Sequence, residues 1–110
     1  MDAKRFLSHL DQDEYPSQAL ATALFIDSGV RAMERGNVSK GRQPNGKNYR
    51  PSLELVRLTI PRRAYTNAHM DLVAESIINL YKKRETIKGL RFTYEPKNLR
   101  FFQGRFEEVK

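Results

Sequence analysis

Three places in this chain set an arginine among apolar or aromatic neighbours: Arg35 two residues after Met33, Arg57 within Leu55-Val56-Arg57-Leu58, and Arg100 ahead of Phe101-Phe102. A guanidinium is planar, always charged, and presents a fork of donors that fits a carboxylate through two parallel hydrogen bonds. The chemistry on offer is therefore recognition of an anionic or oxygen-bearing group beside an apolar surface. Arg57 poses the sharpest question, because an arginine buried or half-buried in a greasy strand costs several kcal/mol unless something anionic meets it. Each position also has a plain structural reading. Arg35 can be a strand-end charge, Arg57 the partner of a nearby acid such as Glu54, and the two phenylalanines ordinary core. Periodicity alone leaves these readings open.

Other chemistry finds little to work with. The chain has no cysteine, which excludes disulfides, cysteine–zinc sites and thiol nucleophiles. His9 and His69 lie far apart without a carboxylate at ligand spacing, so a polar surface or cap role is expected of them. Eight lysines stand at 4, 40, 47, 82, 83, 88, 97 and 110, each in a polar, often basic stretch. A lysine that forms a Schiff base needs desolvation to lower its pKa, and none of these has that setting. Gly-rich phosphate loops, HExxH, GxSxG and EF-hand spacings are absent.

The elements that must position the arginines can be read from pattern. Pro16 to Ser28 is predicted as a helix entered at Asp13-Glu14-Tyr15-Pro16, with Ala19, Leu20, Ala23, Leu24 and Ile26 as its buried stripe and Gly29 as its stop. Val30 to Arg35 reads as a strand, with Val30, Ala32 and Glu34 on one face and Arg31, Met33 and Arg35 on the other. The turn formers between Gly36 and Pro51 indicate a long loop or loose hairpin. Leu53 to Ile60 is a strand closed by Pro51 and Pro61; alternation puts Arg57 with Leu53, Leu55 and Thr59, opposite Val56, Leu58 and Ile60. Thr66 is the predicted N-cap of a helix carrying Met70, Val73, Ala74, Ile77 and Tyr81 at helical spacing and ending at Lys82-Lys83-Arg84. Leu90 to Tyr94 alternates as a strand, and Leu99 to Val109 follows as another extended segment. The order implies an α+β fold: a short, mostly antiparallel sheet with helices on one face.

At 110 residues, with 39% hydrophobic and 30% charged residues, the chain is expected to fold as one domain, 1–110. No apolar run approaches the roughly 20 residues that span a bilayer, and acids occupy the start where a signal peptide needs an apolar centre, so a cytoplasmic setting without membrane contact is expected. The net charge of +7 raises nucleic-acid binding. The basic residues are nonetheless dispersed among 13 acids, which fits solvated faces better.

The string Val56-Arg57-Leu58-Thr59-Ile60-Pro61-Arg62-Arg63, with Tyr65-Thr66 and Ala68-His69-Met70-Asp71, closely resembles the C-terminal region of the β-eliminating lyases, the tyrosine phenol-lyases and tryptophanases. Gly29-Val30-Arg31-Ala32-Met33-Glu34-Arg35-Gly36 and Thr93-Tyr94-Glu95-Pro96-Lys97 share the resemblance, which runs in order over nearly the whole chain. Met33-Glu34-Arg35-Gly36 and Arg100-Phe101-Phe102 are similar to the tyrosine-cleaving branch. Tryptophanases carry an apolar pair in place of Glu34-Arg35 and a histidine in place of Phe101.

The resemblance implies the C-terminal small domain of a fold-type I enzyme that uses pyridoxal phosphate, acting on L-tyrosine by α,β-elimination to phenol, pyruvate and ammonia. By match, Arg57 would clamp the substrate α-carboxylate, Arg35 would approach the phenolic oxygen, Met33 would line the ring pocket, and Phe101 and Phe102 would close over the ring. The cofactor lysine, the pyridinium aspartate, the stacking aromatic, the monovalent-cation (K+) ligands and the tyrosine acid would belong to a separate PLP-binding large domain. The chain alone is then expected to be inactive and to bind no cofactor, as a truncated or excised piece, and the complete enzyme to be a homotetramer. A tryptophanase-type fragment and a non-catalytic binding or regulatory module on the same fold are the rival readings.

Overall fold

The computed structural model describes residues 1–58, 67–95 and 104–109. In chain order these form helix α1 (Ala3–Phe6), helix α2 (Pro16–Ser28), strand β1 (Met33–Arg35), helix α3 (Asn37–Lys40), strand β2 (Leu55–Arg57), helix α4 (Asn67–Lys82), strand β3 (Leu90–Tyr94) and strand β4 (Arg105–Glu108), with 3₁₀ turns at Gln12–Glu14 and Arg84–Thr86. The α+β class holds. Among the described residues, however, the strands form two separate antiparallel ribbons, β1 with β2 and β3 with β4, where a single sheet was expected. The strands at the first ribbon are short: β1 passes straight into α3, and β2 is three residues long, so this ribbon has little edge to extend.

Helix α2 packs against both ribbons and against α1 and α4. Pro16 sits in its first turn, where the missing N–H costs nothing, and Gly29 ends it in a left-handed conformation, φ 75°. Ala19, Leu20 and Leu24 are buried as expected, and Pro16, Ser17 and Ala21 join them. Ile26, placed in the stripe from sequence, is instead 78% exposed. A helix with neighbours on several sides buries more than one stripe, and Ile26 is left at the edge of the groove it shares with Leu80 and Ile87.

The short helix α1 was not legible in the sequence. The Asp2 carboxylate accepts hydrogen bonds from the backbone N–H groups of Lys4 and Arg5 at 3.1 and 3.3 Å, capping it. Its preceding backbone lies antiparallel along β2, with Ala3 N–H donating to Glu54 O at 2.8 Å and Val56 N–H to Met1 O at 2.9 Å. This buries Ala3, Phe6 and Leu7 against the core of Leu20, Leu24, Val56 and Leu80.

The second ribbon joins the same core through aromatic rings. Phe92 and Phe106 face each other across β3 and β4 with centroids 4.3 Å apart, and Tyr15 meets both edge-on at 5.0 and 5.7 Å. His9 takes a polar surface role, its Nε2 lying 2.8 Å from Ile87 O.

The predicted α4 is present, while its N-cap Thr66 lies outside the described residues. Its sequence stripe reaches the core in part: Ile77 packs half-buried against it and Tyr81 meets Phe6 edge-on at 5.0 Å, but the buried positions are Ser76 and Leu80, and Met70 and Tyr81 are 43% and 44% exposed. Between Gly36 and Pro51 the loose hairpin is found at its tip, where Arg42 and Asn48 form a bridge, but its start is the unforeseen α3.

The left-handed Gly29 predicts a measurable cost for Gly29→Ala. An added Cβ meets no atom within 4 Å, so the penalty is purely conformational, about 1 kcal/mol. Thermal denaturation of the protein carrying this chain should show a Tm lowered by a few degrees, and an unchanged Tm would remove Gly29 as the helix stop.

Candidate functional site

Register decides what the first ribbon shows to solvent. Met33 lies opposite Arg57, Glu34 opposite Val56, and Arg35 opposite Leu55. Side chains alternate along a strand, so Met33, Arg35, Leu55 and Arg57 share one face while Glu34 and Val56 share the other. The inner pair is buried to 2% and 1% exposure, and on the outer face Arg35 and Arg57 are exposed with Met33 and Leu55 half-buried beside them. The faces read from sequence are therefore those observed, and three of the five candidate site residues are neighbours. Arg57 and Arg35 stand as a diagonal pair, about 7–8 Å apart at the backbone. Phe101 and Phe102 lie outside the described residues.

Two expectations for Arg57 are corrected. It is exposed, not half-buried, so it carries no large desolvation cost. Nor does Glu54 pair with it: residues 54 and 57 point to opposite faces, and Glu54 is fully buried. The contact Arg57 does make is from Nη2 to the Met33 sulfur at 3.0 Å, a weak acceptor that leaves the positive charge unneutralised. Among the described residues no carboxylate forms an ion pair with it.

The carboxylates that sequence might have offered are turned inward. Glu34 accepts from the backbone N–H groups of Gly36 at 2.9 Å, Val38 at 2.8 Å and Ser39 at 3.2 Å, and from the Ser39 hydroxyl at 2.6 Å. Glu54 accepts from Gln12 Nε2 at 3.0 Å, Ser17 Oγ at 2.9 Å and the Asn37 N–H at 3.2 Å. Both acids thus hold the first turn of α3 in place, one from β1 and one from the entry to β2. The approach is close enough to demand glycine at 36, where a Cβ would come within 1.5 Å of Glu54 Oε2. Sequence reasoning missed this role for Glu54, although alternation along Glu54-Leu55-Val56-Arg57 already places it opposite Arg57.

Beside Met33 a groove of about 510 Å³ runs between α2 and β1, lined by Ala21, Thr22, Phe25 and Arg31 among others. The Arg31 guanidinium stands 5.6 Å from the Phe25 ring centroid. Farther along, Arg42 holds Glu95 with Nε and Nη2, both at 2.6 Å, and donates from Nη1 to Gly46 O at 2.8 Å, fastening the hairpin tip to the end of β3. Glu95 holds the Arg42 guanidinium above its ordinary pKa. Among the described residues no cluster of His, Asp or Glu is arranged to hold a metal ion.

No family model matches the chain. Curated proteins do. It is 62% identical over 108 residues to a tyrosine phenol-lyase of Clostridium tetani, covering 97% of this chain and 24% of that protein. It is 62% identical over 110 residues to a tyrosine phenol-lyase of a Symbiobacterium species, covering 99% and 24%. A tyrosine phenol-lyase of Nostoc punctiforme is 59% identical over 108 residues, covering 97% and 23%. The chain thus resembles a segment of enzymes of the lyase class. More particularly, it is homologous over nearly its whole length to a C-terminal region of the tyrosine phenol-lyases, and it spans about a quarter of the length of the curated relatives it matches.

Burial pushes the Glu54 carboxyl above the ordinary glutamate value of 4.5, against the hydrogen bonds from Gln12, Ser17 and Asn37, and the nearby Glu34 charge pushes the same way. The folded state therefore holds its proton to higher pH than the unfolded chain. The stability contribution of this group is full below the unfolded value and falls as pH rises from there through the folded pKa. Urea denaturation of the native protein and of Glu54→Gln should show the native protein losing stability relative to the variant across that window. Parallel curves would show that Glu54 does not titrate in this way.

Proposed function

We propose that the chain is the small, substrate-gripping domain of a tyrosine phenol-lyase of the fold-type I class, residues 1–110 forming one domain that works against a PLP-binding large domain. The reaction is α,β-elimination of L-tyrosine to phenol, pyruvate and ammonia in a cytoplasmic homotetramer that also needs K+. Support comes from the homology and from the single shared core into which α1, α2, α4 and both ribbons pack. Among the described residues no helix is long and apolar enough to cross a membrane.

The observation that carries the reading is the exposed ribbon face on which Arg57, Met33 and Arg35 meet. Arg57 binds the substrate α-carboxylate, its charge unneutralised by any described acid. Arg35 meets the phenolic oxygen at the other end of the substrate, and Met33 packs on the ring between them. Phe101 and Phe102 close over the ring and exclude water. The cofactor supplies the electron sink for the elimination, and the described residues of this chain do not fit it: Lys4, Lys40, Lys47, Lys82, Lys83 and Lys88 are all exposed, none in the desolvated setting that cofactor attachment requires. The cofactor and its lysine are assigned to the large domain.

In the full-length enzyme, Arg57→Ala should lower kcat/KM for tyrosine by about 10²–10⁴, the loss of two charge-assisted hydrogen bonds at roughly 1.5–3 kcal/mol each. Steady-state kinetics with affinity for tyrosine unchanged would refute the clamp. Arg35→Ala should shift relative activity away from tyrosine and toward tryptophan, by up to about 10⁴ if its hydrogen bond carries the discrimination. An unaltered preference would take the specificity role from Arg35.

A further inference from the structure

Glu34 is 2% exposed, one residue from Arg35, and none of its charge reaches the outer face. Its two oxygens collect three backbone N–H groups and the Ser39 hydroxyl, while its own backbone carbonyl accepts from the same hydroxyl at 3.1 Å. Arg35 is the one residue between Glu34 and the first of these donors, Gly36, so the carboxylate closes a small ring of backbone around Arg35. Across the ribbon, Glu54 holds the same turn through Asn37 N–H, and Glu34 pairs with Val56 in the register that places Arg57.

We propose that Glu34 is a positioning residue for substrate discrimination: its inward carboxylate fixes the backbone of Arg35, and with it where the Arg35 guanidinium stands relative to Met33 and Arg57. This rests on the assignment of Arg35 to the phenolic oxygen. A carboxylate is required because every partner is a donor. Glutamine at 34 presents an N–H₂ to at least one of those N–H groups, so the ring loosens and Arg35 drifts, with the strand pairing of Glu34 and Val56 still available.

The test uses the full-length enzyme and two substrates that eliminate at the same carbon, L-tyrosine and S-methyl-L-cysteine, the latter with no phenolic oxygen. Glu34→Gln should lower the ratio of kcat/KM for tyrosine to that for S-methylcysteine by about tenfold or more, the scale on which displacing a binding group affects rate. Arg35→Ala should lower it at least as far, and the double variant no farther than Arg35→Ala, because the two act through one group. A purely structural role would reduce both substrates together, so a ratio within about twofold of the native one in Glu34→Gln, or additive effects in the double variant, overturns the proposal. An unchanged ratio in Arg35→Ala overturns the reading of Arg35 and this proposal with it, whereas an unchanged ratio in Glu34→Gln alone overturns only the latter. Should Glu34→Gln fail to fold, Ser39→Ala removes one donor to the carboxylate, and its ratio should fall by about tenfold, the low end of the worth of a hydrogen bond to a charged group; no fall overturns the proposal.

Discussion

Two carboxylates buried on one short stretch of backbone, Glu34 and Glu54 around Gly36 to Ser39, are the constraint on which the first ribbon depends. Burying an ionised acid costs several kcal/mol unless its oxygens are well supplied with donors. Here the donors are backbone N–H groups, hydroxyls and one amide, with no cation among them. Such an arrangement succeeds only if the backbone is already turned to present its N–H groups, and once formed it holds that turn. The closeness of Gly36 to Glu54 Oε2 shows how little room is left. Because one acid comes from β1 and the other from the residue before β2, the turn ties the ends of the two strands together.

The rest of the fold supplies the floor beneath this ribbon. Helix α2 lies under β1 and β2 and reaches β3 as well, and its first turn provides Ser17, whose hydroxyl bonds Glu54. Just before it, Tyr15 adopts a left-handed backbone, φ 55°, unusual for a residue with a side chain, and sets its ring against Phe92 and Phe106. Its hydroxyl accepts from Asn48 at 3.0 Å, so one residue links the helix start, the second ribbon and the hairpin tip. The Arg42–Glu95 pair makes a second such link between stretches separated by half the chain.

What could be read from the sequence was what local rules govern. Proline at the start and glycine at the end bracketed α2, and strict alternation sorted Met33 with Arg35 in one strand and Arg57 with Leu55 in the other, while only the register of the pair brings the two sets onto one face. Local rules failed where tertiary contacts override them. Helix α1 has four residues, too few to signal by periodicity, and is held by Asp2 and by pairing with β2. Ile26 and Met70 sit in apolar patterns yet face outward, since a pattern reports which residues prefer burial and not which neighbours are present. Helix α3 is held where Glu34 and Glu54 converge on it from 17 or fewer residues away. Nothing in the composition of Asn37-Val38-Ser39-Lys40 demands a helix.

The same alternation also settles which charges meet. Most described arginines with a carboxylate in reach have taken it: Arg5 with Asp2, Arg42 with Glu95, Arg50 with Asp13, Arg91 with Glu107. Exposed pairs of this kind contribute little to stability, about 0–1 kcal/mol, but each one neutralises a guanidinium. Arg57 escapes that fate because the acids nearest to it in space along the ribbon, Glu34 and Glu54, are on the buried side of their strands and already saturated by backbone donors. A single residue's slip in either strand would bring an acid to the outer face and send an arginine into the core. The buried carboxylates therefore do two things through one register: they fasten the turn, and they are themselves kept from pairing with Arg57 on the outer face.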